Sequence, residues 1–379
     1  MKLTTSLVAI AATLSALATP THAAEPAEAP AVFNVKAKNL SPEDCAFDIG
    51  NEQWYQSNLY RGKIHVAGLD GSSFSVSIPQ ISSDQPFDTP YQLAGLSLNN
   101  RTAPTRLYAV AKDEKAFRFK SSDPTQSVSK LGPNRFVAYD LPLTTKSQPA
   151  WSIRLDRVQD RLKKKLGGKN RPFGPVDSVQ DSKGNSYVVF ALGAPAIAKI
   201  SPSGEAVQAW AWETPKSSRA PRVGYTGLAY DADSNRLIAY GGPRVLTMFD
   251  LSSATPSKPI AVKIEGDLSV SDLTSAEKIN LVPSTDDTGS RLLATNAPNV
   301  YSFRSTSTSN PWSTVSFKSY SRNKFNSNGL TTVCEANFRN ANGTRERQIY
   351  GQGAYFGEGA YSSRTEWPMY ELPARLLTA

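Results

Sequence analysis

Glu43, Glu277 and Asn328 are hard oxygen donors that recur at matching points of a repeated pattern in this chain. Donors of that kind suit Ca²⁺ or Mg²⁺. The matching points of the other repeats hold Ala94, Val176 and Thr226, whose side chains are poor or impossible ligands. The donor ring is therefore incomplete, and ordered water or a neutral ligand fits it better than a catalytic metal. Nothing else calls for a cofactor. Of the two histidines, His22 lies in an N-terminal segment read below as cleaved, and His65 sits in a strand pattern. One histidine excludes a His-rich metal site, and its position points to packing or a sheet edge rather than Ser-His-Asp catalysis. No catalytic residue is assigned.

A second set pairs rings with guanidinium groups near predicted turns: Tyr55, Tyr60, Trp210, Trp212, Tyr225, Arg222 and Arg244. Aromatic faces and guanidinium forks suit a sugar or a phosphorylated headgroup. The same aromatics also serve as packing between sheets. The binding set read from the sequence is thus Glu43, Tyr55, Tyr225, Thr226, Arg244, Glu277 and Asn328. Gly241-Gly242-Pro243 ahead of Arg244 is a tight turn and not a phosphate loop, because no helix follows it.

These residues are positioned by a repeat. First-strand anchors fall at Glu43, Ala94, Val176, Thr226, Glu277 and Asn328, spaced by 51, 82, 50, 51 and 51 residues. Phe173 to Glu205 shows the unit most clearly. Val176–Val179 starts a strand, Asp181-Ser182-Lys183-Gly184-Asn185 turns, and Ser186–Phe190 is aromatic and β-branched. Gly193-Ala194-Pro195 turns again before Ala196–Ile200. A repeat of ~40–50 residues holding about four strands is the signature of a propeller. The reading is all-β: a six-bladed β-propeller with four-stranded antiparallel blades and one short helical insertion. Ring closure protects strand edges, and Ala31–Lys36 is expected to pair with the C-terminal blade and latch the ring. The 82-residue interval holds an excess of roughly 31 residues. Within it Leu155, Val158, Leu162 and Leu166 share one helical face, and Gly167-Gly168 ends the helix. That helix is either a basic lid over one end of the ring or a solvated helix docked on a blade.

Cys45 and Cys334 fall in the first strands of blades one and six, neighbours in a closed ring. An oxidising compartment favours a bridge between them. The register opposes it. They lie two and six residues past their anchors, ~13 Å of axial offset at ~3.3 Å per residue, too far to bridge without a slip in the alignment.

Residues 1–23 read as a secretory signal peptide, with an apolar run from Leu3 to Leu17 and Thr21-His22-Ala23 as the cleavage site. Residues 24–32 read as a flexible Ala/Pro/Glu leader and 33–379 as one propeller domain. No further stretch is apolar enough for a membrane span. The expectation is a secreted monomer, extracellular or in the cell wall. Loss of Lys2 takes the formal net charge from +9 to +8. Outside the cell this favours cell-wall glycans or acidic lipid headgroups over nucleic acid, unless the basic surface only solubilises. Asn39, Asn100 and Asn342 head glycosylation sequons.

Several runs are more specific than propeller grammar. They are Tyr55-Gln56-Ser57-Asn58-Leu59-Tyr60, Arg171-Pro172-Phe173-Gly174, Gly184-Asn185-Ser186-Tyr187-Val188, and Phe190-Ala191-Leu192-Gly193 with Pro195-Ala196-Ile197-Ala198. Ala211-Trp212-Glu213, Gly241-Gly242-Pro243-Arg244 and Ser302-Phe303-Arg304-Ser305 complete the set. Together they resemble the secreted fungal propeller family that contains the major allergen of Malassezia yeasts and the core trichothecene-cluster propeller protein of filamentous fungi. The resemblance implies a six-bladed propeller, secretion, no settled enzyme activity and no catalytic motif to transfer. Some members are allergens, and others are encoded in mycotoxin clusters and linked to virulence.

Three functional readings follow. The first is a non-catalytic binding protein taking an anionic headgroup, a glycan or a small metabolite at a channel mouth. The second is an accessory role in a mycotoxin cluster that contributes to virulence. The third is a divalent-metal-dependent hydrolase of lactonase type.

Overall fold

The computed structural model describes residues 32–118, 132–168, 171–214, 224–252, 258–273, 275–284, 289–323, 325, 329–339 and 344–378. Among the described residues six sheets, antiparallel except for one added strand in blade five, each begin on an inner strand. These strands are Pro42–Asp48, Tyr91–Leu98, Phe173–Gln180, Tyr225–Asp231, Ala276–Pro283 and Leu330–Arg339. Blades one to five then add strands outward in chain order. The second strand of each blade is sandwiched between neighbours, and in blade three Ser186–Leu192 is buried along its whole length. Aromatic and β-branched side chains fill those inter-blade layers, as a two-sided buried strand requires.

The expected latch is present. Val32–Lys36 pairs antiparallel with Glu366–Glu371 and becomes the outer strand of blade six. One blade departs from the four-strand rule. In blade five the short strand Lys263–Glu265 adds in parallel to the outer strand Thr314–Ser321.

The turn at Asp181 is structural. Its Oδ1 accepts from the backbone N–H groups of Lys183 and Asn185, both at 2.9 Å. Its Oδ2 accepts from Asn185 Nδ2 at 2.9 Å and Tyr187 OH at 3.1 Å. Blade one repeats the device, with Asp48 accepting from Gly50, Asn51 and Tyr55 OH. A carboxylate that satisfies several turn donors pins the hairpin and the adjacent tyrosine together.

Every inner strand carries a register shift near its start, between Pro42/Cys45, Leu93/Leu96, Pro175/Asp177, Tyr225/Gly227, Ala276/Ile279 and Leu330/Thr332. Aligned on these bulges, the first five anchors stand as read and the sixth moves from Asn328 to Thr331. The connection ahead of blade six absorbs three more residues than the repeat length allows. Cys334 is then three residues past its anchor and Cys45 two, an offset of one residue. The two cysteines form a disulfide, with Cα atoms 6.1 Å apart. The register argument against the bridge is thereby corrected.

The excess length of blade two is not one insertion. It is divided between the connection 114–134 and the segment after Trp151–Arg154. That segment holds the helix Asp156–Lys165, in which Val158 and Leu162 are buried. With Leu155 they pack against Tyr108, Phe136, Val188 and Phe190 of blades two and three. The helix is docked on the side of the ring and is not a lid. Among the described residues no helix is long and apolar enough to cross a membrane.

Candidate functional site

The bulge level brings Asp44, Gly95, Asp177, Gly227, Lys278 and Thr332 around the axis. Gly95 and Gly227 allow the inner strands to close in. A Cβ on Gly95 would meet Val176 O at 2.3 Å, and one on Gly227 would meet Ile279 N at 2.6 Å. Lys278 enters from blade five. Its Nζ donates to Asp44 Oδ2 and, at 2.8 Å, to the carbonyl of Leu96. It also lies 3.4 Å from Asp177 Oδ1. Thr332 Oγ1 donates to Asp44 Oδ1 at 2.8 Å, and the N–H of Leu96 donates to Asp44 Oδ2 at 2.6 Å. The N–H of Leu228 donates to Asp177 Oδ2 at 2.8 Å. One ammonium and two carboxylates thus tie together all six inner strands.

The three side chains are only 12%, 3% and 2% exposed in the order Lys278, Asp44, Asp177. Burial opposes the charge on Lys278, but the carboxylates of Asp177 and Asp44 outweigh it and hold its pKa above the usual lysine range. Burial pushes the Asp177 carboxyl up, against the pull of Lys278. The cluster plugs the channel and leaves a chamber at each end.

The chamber on the anchor side has a volume of about 570 Å³. Tyr60, Phe87, Phe117, Phe356 and Tyr361 wall it, with Glu43, Gln92, Lys112 and Glu277 among its polar groups. Phe87, Phe356 and Tyr361 are 39%, 44% and 72% exposed, large apolar surfaces turned to solvent at one rim. Phe87 (φ 68°) and Tyr355 (φ 55°), next to Phe356, hold left-handed backbone conformations. Bulky residues occupy that region at a cost that the surrounding structure must offset.

The cations of this mouth are paired. Lys112 Nζ donates to Glu43 Oε1 at 2.6 Å and lies 4.2 Å from the centre of the Phe117 ring. Arg118 pairs with Glu114 and lies 5.0 Å from the Phe87 ring centre. Glu43 Oε2 is buried and has no hydrogen-bond partner among the described residues. A buried acceptor left open in this way favours a donor from a bound molecule.

The opposite chamber is smaller, about 150 Å³, and is lined by Lys278 and both cysteines. Arg101 spans its opening from blade two, donating to the carbonyl of Leu281 and pairing with Glu335.

The predicted residues are divided by this geometry. Glu43 and Glu277 meet at the aromatic mouth, together with Tyr60. Tyr55 does not. It is fully buried and held by Asp48, which corrects its assignment as a ligand residue. Tyr225 and Arg244 converge on Glu213 instead. Arg244, Glu213 and Trp212 line a separate peripheral pocket of about 310 Å³. Thr226 is also outside the mouth, its hydroxyl donating to Tyr240 O at 3.4 Å. Trp210 is core, its ring edge-on to Tyr187 at 5.0 Å and tilted against Phe249 at 5.5 Å. Arg222, Asn328 and Asn342, with the signal and leader up to residue 31, lie outside the described residues. Asn39 and Asn100 are exposed.

Sequence reasoning missed Asp44, Asp177 and Lys278, although a signal was present: each is one residue past its anchor. It also missed Lys112 and the rim aromatics Phe87, Phe356 and Tyr361, which sit in irregular connections without periodicity. Among the described residues no three acidic, histidine or cysteine side chains gather to hold a metal ion. The ammonium groups of Lys112 and Lys278 sit against the inward carboxylates instead.

The comparisons agree with this architecture. The family described as Mal s 1 allergenic protein-like matches residues 19–330. The major allergen Mal f 1 of Malassezia furfur is 40% identical over 349 residues, covering 92% of this chain and 93% of that protein. The crystal structure of the major Malassezia sympodialis allergen Mala s 1 superposes with a TM-score of 0.81 at 39% identity, over 91% of this chain and 97% of the other. The chain belongs to the Mal s 1 allergenic protein-like family of six-bladed β-propellers.

Proposed function

We propose that this chain is a secreted, non-catalytic binding protein whose ligand sits in the aromatic mouth. The observation that carries the reading is the open, buried Glu43 Oε2 at the base of a chamber walled by five aromatic rings. Rings supply stacking area, and the carboxylate oxygen accepts from a hydroxyl or an ammonium. The balance of charge narrows the ligand. Glu43, Glu114 and Glu277 oppose Lys112 and Arg118, and both cations are already paired. An anionic headgroup would find no unpaired cation there among the described residues. A small, uncharged or weakly cationic molecule with a hydroxyl on a flat apolar body fits better. The +8 charge expected after loss of the signal then belongs to the general surface and not to this chamber.

Calorimetric titration of the purified protein tests the reading. The panel holds neutral hydroxylated alicyclic and aromatic compounds, cell-wall glycans and anionic lipid headgroups, at low salt. Binding by the first class, weakened roughly tenfold in Phe356→Ala and in Tyr361→Ala, is the expected result. Affinity unchanged by both substitutions, or no binding by any class, would remove the proposal. The hydrolase reading has less support, because Lys112 sits on Glu43 and Lys278 sits on Asp44 and Asp177.

A further inference from the structure

The geometry points to Asp44, Asp177 and the carbonyl of Leu96 as a cation cradle that the chain fills with its own Lys278 ammonium. Three oxygens converge on Nζ: Asp44 Oδ2, Leu96 O at 2.8 Å and Asp177 Oδ1 at 3.4 Å. Two carboxylates and a carbonyl from three different blades form a donor set typical of a hard divalent ion, with water completing the shell. The remaining lone pairs of both carboxylates are taken by Thr332 Oγ1 and by the N–H groups of Cys45, Leu96, Ser178 and Leu228. Those donors fix the carboxylates from outside, so the cradle does not depend on Lys278 for its shape.

The charge requirement is strict. With Lys278 present, two buried carboxylates face one ammonium. Without it, two negative charges remain at the axis with no counter-ion, a state that costs far more than the pair is worth. Any cation that reaches the cradle should then be retained. A route exists, because Lys278 lines the smaller chamber opposite the aromatic mouth. Lys278 therefore makes this propeller metal-independent while keeping the electrostatics of a metal-centred ring.

The experiment removes the ammonium from the full chain and supplies cations from solution. Lys278→Ala and Lys278→Met are prepared with the wild type, stripped with chelator, and melted in buffer, in CaCl₂ and in ethylammonium chloride at matched ionic strength. The wild type should be indifferent to both salts. Each variant should melt about 4–7 °C lower. Ca²⁺ should restore much of that loss in both variants, and ethylammonium should do so in Lys278→Ala, where the side-chain space is open. Calorimetry should count one Ca²⁺ per variant chain and none in the wild type. Variants that fold but gain nothing from either cation would overturn the inference. So would a wild type that binds Ca²⁺ as the variants do. If the single variants do not fold, the charge-free combination Asp44→Asn, Asp177→Asn, Lys278→Met decides the matter. Recovery of a folded chain indifferent to Ca²⁺ supports an electrostatic role, and failure to fold assigns Lys278 to packing alone and sinks the cradle.

Discussion

Glu43 and Asp44 are neighbours in the chain, and each carboxylate takes a lysine from another blade, yet the two clusters are built to opposite ends. Asp44 is fully consumed: Lys278, Thr332 and the N–H groups of Cys45 and Leu96 leave it no spare valence. Glu43 meets Lys112 with one oxygen and keeps the other open towards a chamber of aromatic rings. The bulge between Pro42 and Cys45 separates the two side chains. One cluster spends its hydrogen bonds on joining six strands, and the other retains capacity for a molecule from outside. The difference teaches where to look for function in a closed ring: at the polar group that the fold has left incomplete.

The contrast can be broken most forcefully at the plug. Asp177→Ala leaves a buried ammonium short of one partner, and chemical denaturation should show a loss of about 3–5 kcal/mol. Ligand binding at the mouth should survive in the molecules that remain folded. A loss below about 1 kcal/mol would show that the plug is not what holds the inner strands.

The covalent closure comes next. Replacing Cys45 and Cys334 by alanine removes a link between residues 289 apart in sequence, and the expected loss is about 2–5 kcal/mol. Because the latch strand Val32–Lys36 closes blade six independently, the reduced ring should still fold, which circular dichroism at low temperature would check.

An acid titration separates the plug from the rest of blade one. Burial holds His65 down at about 4, against an ordinary value of 6.5. Its Nδ1 lies 3.3 Å from Ser75 Oγ, and its Nε2 is buried without a hydrogen-bond partner among the described residues. The unfolded chain therefore binds a proton that the folded chain refuses. Stability should fall as pH drops from about 6.5 to 4, by about 3 kcal/mol from this residue. Asp177 acts with the opposite sign, since burial makes its carboxyl easier to protonate in the folded state. His65→Gln should abolish the acid loss and expose a flat or rising profile, read from denaturation midpoints across pH.

The smallest structural effect belongs to the mouth. Phe356→Ala and Tyr361→Ala should change stability by no more than about 0.5 kcal/mol, because both side chains are already exposed. Each should weaken ligand binding roughly tenfold, the usual worth of an aromatic anchor. A large stability loss with unchanged affinity would reverse the assignment of roles.

Much of this was legible in the residues. The pitch of the repeat, the Asp-anchored turn of blade three, the N-terminal latch and the helix face of Leu155, Val158 and Leu162 all rest on local rules. The sixth blade was not placed correctly. Periodicity counts residues, and the connection that buries Phe325 before Leu330 uses three that the other repeats do not need. That slip alone hid the disulfide. It also set Asn328 in the donor ring at the level that Thr331 occupies.

The sequence by itself determined the blade grammar and ring closure, because alternation, turn chemistry and repeat length act over a few residues at a time. It also placed Glu43 and Glu277 at a shared end of the channel. Only the tertiary structure decided that Lys278 meets Asp44 across 234 positions and that Cys334 meets Cys45 across 289. It also decided that rim aromatics from unrelated loops share a chamber with Glu43. Such partnerships depend on the register with which six strands pack about one axis. A shift of one residue turns a side chain to the other face, so no local pattern records which groups finally touch.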